Sequence, residues 1–197
     1  MRPPALPLLA ALALTALPSI GYAQSADAPR LGWQPSSRVS VGSRLVMRFG
    51  EYQLGGFGGQ VAIRLGPWVS VELFTDHMVG TREGSLRHDH EVGGMLRLHA
   101  LRGARWTVFP MVGACANLAV VHAAQSSDAT VNDIQFGARA GVGADFALPH
   151  GISLGVEVTA LAYLGHQLQG WGWRAEASAD LSVFAAGQGV LHANYHF

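Results

Sequence analysis

The fold class predicted for the mature chain is all-β: an eight-stranded antiparallel up-and-down transmembrane β-barrel. Three observations predict it. Apolar and polar residues alternate with a period of two in eight separate runs, and the connections between runs alternate between tight and long. The last run, Leu191-His192-Ala193-Asn194-Tyr195-His196-Phe197, keeps that alternation to a terminal aromatic residue. A period of two is what a strand imposes, because successive side chains point to opposite faces. One face then suits lipid and the other a polar interior.

A leader precedes the runs. Met1-Arg2 carries positive charge, Ala5 to Leu17 is apolar up to Pro18, and Gly21-Tyr22-Ala23 offers small residues where a signal peptidase reads. Residues 1–23 are therefore expected to be a cleaved secretory signal peptide, followed by a short periplasmic segment over 24–36 and the barrel over 37–197. The apolar run is too short for a retained membrane anchor, which needs roughly 20 residues. Cys115 is the only cysteine, so no internal disulfide can form; it is expected to be a small core filler rather than a nucleophile.

The first run sets Val39, Val41, Leu45, Met47 and Phe49 against Arg38, Ser40, Gly42, Arg44 and Arg48. Arginines on one face cannot meet lipid, so that face is inward. The second places Phe57, Gly59, Val61, Ile63 and Leu65 against Gly56, Gly58, Gln60, Ala62 and Arg64. In the third, Val69, Val71, Leu73 and Thr75 oppose Ser70, Glu72, Phe74 and Asp76; in the fourth, Val92, Gly94, Leu96 and Leu98 oppose Glu91, Gly93, Met95, Arg97 and His99. The fifth, Trp106 to Val121, is apolar enough for a transmembrane helix, but Pro110 and Gly113 disfavour a helix interior and its neighbours carry arginine at period two. The sixth sets Ile134, Phe136, Ala138, Ala140, Val142, Ala144 and Phe146 against Gln135, Arg139 and Asp145, and the seventh sets Ile152, Leu154, Val156, Val158 and Ala160 against Ser153, Glu157 and Thr159. The terminal run from Val183 makes eight.

Gly66-Pro67, Leu101 to Ala104 and Leu148 to Gly151 are tight connections, whereas His77 to His90, His122 to Asn132 and Leu164 to Asp180 read as long polar loops. Only Gly50 to Gln53 is short on the long side. Short turns on one rim and long loops on the other is the asymmetry of outer-membrane barrels, the short side being periplasmic. Trp68, Trp106, Tyr195 and Phe197 are expected in a lower aromatic girdle, and Tyr52, Trp171 and Trp173 in an upper one.

With these runs in place the chain resembles the small eight-stranded outer-membrane barrels, the group of the OmpA transmembrane domain and OmpX. Phe109-Pro110-Met111-Val112-Gly113-Ala114 and Gly137 to Phe146 look like central strands of that group, and Tyr195 with Phe197 resembles the signal read by the barrel assembly machinery. His192 stands where that signal often has glycine, with Gly189 nearby. The resemblance implies a monomeric protein of the outer membrane whose partners are membrane lipids, lipopolysaccharide and the assembly machinery.

Eight strands enclose a space just wide enough for side chains. Arg38, Arg44, Arg48, Arg64, Arg97, Arg105 and Arg139 against Glu72, Asp76, Glu91, Asp145 and Glu157 are thus expected to form a paired interior network, a conducting lumen being the alternative. Chemistry is sparse elsewhere. Net charge is zero, with 13 basic and 13 acidic residues, which argues against nucleic acid as a partner. His88 and His90 share a strand face without a defined third ligand, so no metal is expected, and no sequence feature implies another cofactor. Asp76, His77, Ser85 and His166 supply the residue types of a lipid A-modifying enzyme but no recognisable nucleophile context, so a non-enzymatic role is expected. Trp171 and Trp173 are the loop residues most suited to surface recognition.

Overall fold

The computed structural model describes residues 38–50, 53–82, 85–122, 130–165, 173–176 and 182–197. The predicted signal peptide and the segment over 24–36 lie outside them, as do Tyr52, His166 and Trp171. In chain order the strands are β1 (Val39–Phe49), β2 (Leu54–Arg64), β3 (Val69–Arg82), β4 (Ser85–Leu98), β5 (Leu101–Arg102), β6 (Trp106–His122), β7 (Thr130–Ala147), β8 (Ile152–Gly165), β9 (Trp173–Glu176) and β10 (Ser182–His196). Eight long strands pair antiparallel in the order β1-β2-β3-β4-β6-β7-β8-β10, and β10 pairs back onto β1 from Ser40↔His196 to Phe49↔Gly187. That last ladder closes the sheet, so no long strand is left with an open edge in an apolar solvent that could not satisfy it.

Burial alternates as the sequence predicts. Along β1, Ser40, Arg44, Val46 and Arg48 are buried while Val41, Leu45, Met47 and Phe49 are exposed. Phe57, Leu73, Val112, Phe136, Val142, Val158 and Leu191 continue the exposed apolar surface around the barrel. A belt of this size would be unfavourable in water, at about 25 cal/mol per Å2 of apolar surface, and matches acyl chains. The fifth run is strand β6, paired with β4 and β7, and not a helix.

Two local features answer to their residues. Pro110 lies inside β6, where a missing N–H normally excludes proline. The ladder to β4 ends at Arg97↔Met111 and resumes on β5 at Leu101↔Val108, so one extra residue is inserted opposite Pro110 and its absent donor falls at a bulge. The β7–β8 turn is a single 3-10 turn, Pro149–Gly151, with His150 at φ 64° and Gly151 at φ 75°.

The loop boundaries differ from the sequence expectation. His77 to His90 is not a long polar loop: β3 runs to Arg82 and β4 restarts at Ser85, paired from Arg82↔Ser85 to Val69↔Leu98. The polar residues that suggested a loop fall on both faces of a strand alternation: Arg87 and Asp89 are fully buried with Met78 on the inward face, and His77, His88 and His90 lie on the outward one. Strands also reach His122 and Thr130 on the next hairpin, and Gly165 on β8. Within the Leu164 to Asp180 stretch, Trp173–Glu176 is strand β9, which pairs with β10 from Ala185↔Trp173 to Ser182↔Glu176. It thereby continues the column that β1 leaves at Phe49.

Candidate functional site: the polar interior and the outer end

The inward residues of β1, β3, β4, β7, β8 and β10 converge because their parity is fixed by the exposed apolar face. They form two ionic groups. Toward the end where β3 and β4 turn, Arg48 reaches Asp89 at 3.1 Å and Glu91 at 2.5 Å, and also bonds the Gln188 side-chain carbonyl at 3.0 Å. Arg87 donates to Asp89 at 2.6 and 3.0 Å, and the Asn117 amide donates to Asp89 at 2.9 Å and to Gln135 at 3.2 Å. Arg139 and the Tyr163 hydroxyl both donate to Glu91. Each carboxylate therefore accepts from several donors, which is the condition under which a buried charge is tolerated.

Toward the other end, Arg44 meets Glu72 at 2.6 Å, Asp76 at 3.1 Å and Glu157 at 3.9 Å. Arg97 pairs with Glu72 and Glu157 and lies 4.0 Å from Asp145, which His192 contacts at 2.7 Å. Gln60 bridges the group to β10, accepting from Arg44 at 3.0 Å and donating to Asn194 at 2.7 Å. Phe74 joins the two groups: the Arg44 guanidinium lies 4.6 Å from its ring centroid and that of Arg139 4.4 Å. Such cation–π contacts strengthen where water is displaced. Gly93 makes room for this ring, since a Cβ there would stand 2.8 Å from Phe74 Cε1 and 2.7 Å from the Ala114 carbonyl oxygen.

Of the network residues read from the sequence, Arg44, Arg48, Glu72, Arg97, Arg139, Asp145 and Glu157 stand in these groups. Arg38 and Arg105 are exposed at the turn end and Arg64 is half-buried there, all apart from the ion pairs just given. Those three sit at or beyond strand ends, where parity no longer dictates burial. Arg87, Asp89 and Tyr163 are interior residues that the sequence reading passed over. The signal for them was present: carrying the period of two back from Glu91 reaches Asp89 and Arg87, and carrying it on from Thr159 reaches Leu161 and Tyr163.

At the turn end Tyr195 and Phe197 are exposed and meet edge to face at 5.1 Å. Trp68 and Trp106 are also exposed there. Trp173 lies in β9; Trp171 lies outside the described residues. Asp76 and His77 are neighbours on β3 and so face opposite sides, Asp76 paired with Arg44 in the lumen and His77 on the outer surface beside His90. A catalytic acid–histidine pair is not assembled by them. His88 shares the outward face with His77 and His90.

A closed antiparallel eight-stranded barrel, charged inside and apolar outside, is the architecture of small bacterial outer-membrane barrels. No protein-family model matches the sequence, and no curated protein sequence matches it. Solved structures do. Neisserial surface protein A aligns with a TM-score of 0.52 at 12% identity, over 81% of this chain and 96% of that one. A major outer membrane protein from Thermus thermophilus aligns with a TM-score of 0.50 at 17% identity, over 82% of this chain and 100% of that one. At these identities the likeness is one of fold.

Proposed function

We propose that the chain is a monomeric integral protein of the bacterial outer membrane, exported by its cleaved leader and assembled through Tyr195 and Phe197. Its lumen is plugged, and its role is to hold a surface for interaction at the outer end of the barrel. The observation that carries this reading is the cross-lumen ion pairing. Arg48 on β1 reaches Asp89 and Glu91 on β4, and Arg97 on β4 reaches Glu157 on β8, so side chains from facing walls meet in the middle. Lipopolysaccharide and outer-membrane lipids are its immediate surroundings through the apolar belt, and β9 with the segments flanking it is the recognition element. No cofactor is needed for this role.

The test is conductance. Refolded barrels inserted in a planar bilayer are expected to hold current at baseline. Sustained unitary currents from the wild-type protein would show a water-filled lumen and overturn the plug. Mass analysis of lipid A from cells with and without the protein addresses the enzymatic alternative, and an altered acyl chain profile would replace this reading.

A further inference from the structure

Four imidazoles lie together on the outer wall of the barrel, away from the interior network. His77 on β3 and His90 on β4 are directly opposed in the ladder, with ring centroids 4.3 Å apart and their Nδ1 atoms 3.1 Å apart. His88, two residues from His90 on the same face, stacks on His77 at 6.1 Å and meets His122 of β6 edge to face at 5.8 Å. Four histidines thus occupy outward positions on three neighbouring strands.

We propose that His77 and His90 form the protein half of a site for a divalent transition-metal cation, of the Cu(II), Ni(II) and Zn(II) class. The spacing supports it. With metal–nitrogen distances of about 2.0–2.1 Å, two nitrogens 3.1 Å apart subtend roughly 100° at one ion, between square and tetrahedral geometry. The rings are tilted by 38°, and χ2 of histidine is a soft torsion, so a small turn aims both lone pairs at a common point. The opposed backbone pair supplies the rigidity that a loop would lack.

The described neighbours of the pair on this face are largely apolar. Phe57 of β2 meets His77 edge to face at 6.0 Å, and Leu118 of β6 is the ladder partner of His90. Val79 and Val92 flank the pair along their own strands, while Asp76, Asp89 and Glu91 point into the lumen. None of these three carboxylates therefore shares the face of the histidine pair. Among the described residues no group of three donors is placed for a metal, so the remaining coordination positions belong to water or to an oxygen of a neighbouring headgroup.

Copper chloride added to the refolded full chain in a non-coordinating sugar detergent is the probe. One Cu(II) per barrel is expected, with an electron paramagnetic resonance spectrum split by two equatorial nitrogens. His77→Ala or His90→Ala should leave one coupled nitrogen and weaken binding at least about tenfold. His150→Ala, at the opposite end, should change neither. Gel mobility of unboiled samples establishes that each variant is folded. Absence of binding by the folded wild-type chain with copper in large excess, or unchanged affinity in the folded double variant, overturns the site.

Discussion

At the scale of single residues, the interior is organised by how many partners each charge keeps when one is removed. Among the described residues Asp76 makes its close ion pair with Arg44 alone, whereas Glu91 is held by both Arg48 and Arg139 and Glu72 by both Arg44 and Arg97. Arg44→Leu should therefore strand Asp76 and cost about 3–5 kcal/mol, the range for breaking a buried pair from one side. Asp76→Asn placed in the same chain should recover a large part of that loss, because it removes the orphaned charge. Urea unfolding midpoints in detergent read both effects, and a single variant as stable as wild type would mean that Asp76 is solvated. The β7–β8 turn gives a second residue-level expectation. His150 occupies the left-handed region, where a side chain costs on the order of 1 kcal/mol, so His150→Gly should gain a few tenths to 1 kcal/mol. Gly151→Ala should lose stability, since its φ is positive and a Cβ would stand 2.9 Å from the His196 carbonyl oxygen. Equal midpoints for the two turn variants would contradict this.

At the scale of elements, parity was legible wherever a run carried apolar residues on one face. The outward set of β1 reads directly from Val39, Val41, Leu45, Met47 and Phe49, and β6 reads as a strand despite its hydrophobicity because Pro110 and Gly113 break helical continuity. Strand length was not legible at the outer end. Above the lipid both faces of a hairpin can be polar, so the contrast that marks a strand fades, and the His77 to His90 stretch looked like a loop. Of the ion pairs that hold it, Arg87 with Asp89 joins residues two apart on β4, whereas Asp89 with Arg48 spans from β4 to β1 and depends on barrel closure. The same extension makes a prediction for recognition. Shortening the chain between Gly165 and Ser182 removes β9 but none of the β1–β10 ladder, so the barrel should still fold and shift on an unboiled gel. Binding to cells or lipopolysaccharide should then fall. Unchanged binding would assign recognition to the β3–β4 hairpin or to the barrel wall instead.

At the scale of the whole molecule, the closing seam and the chain end are the same structure, which allows a folding role and a recognition role to be separated. β10 meets both β8 and β1, and the last residue adds one backbone bond, from the Phe197 N–H to the Val39 carbonyl at 3.3 Å. Replacing Phe197 by Ala keeps that bond and removes only an exposed ring and its edge-to-face contact with Tyr195, a loss of about 0.5–1.5 kcal/mol. Refolded Phe197→Ala should consequently remain closed, with nearly the wild-type midpoint. If the aromatic terminus is what the assembly machinery reads, the same variant should accumulate poorly in the outer membrane of cells while its in vitro folding is spared. A parallel fall in both measurements would make Phe197 a structural residue of the seam. Wild-type levels in the membrane would place the assembly signal elsewhere in β10.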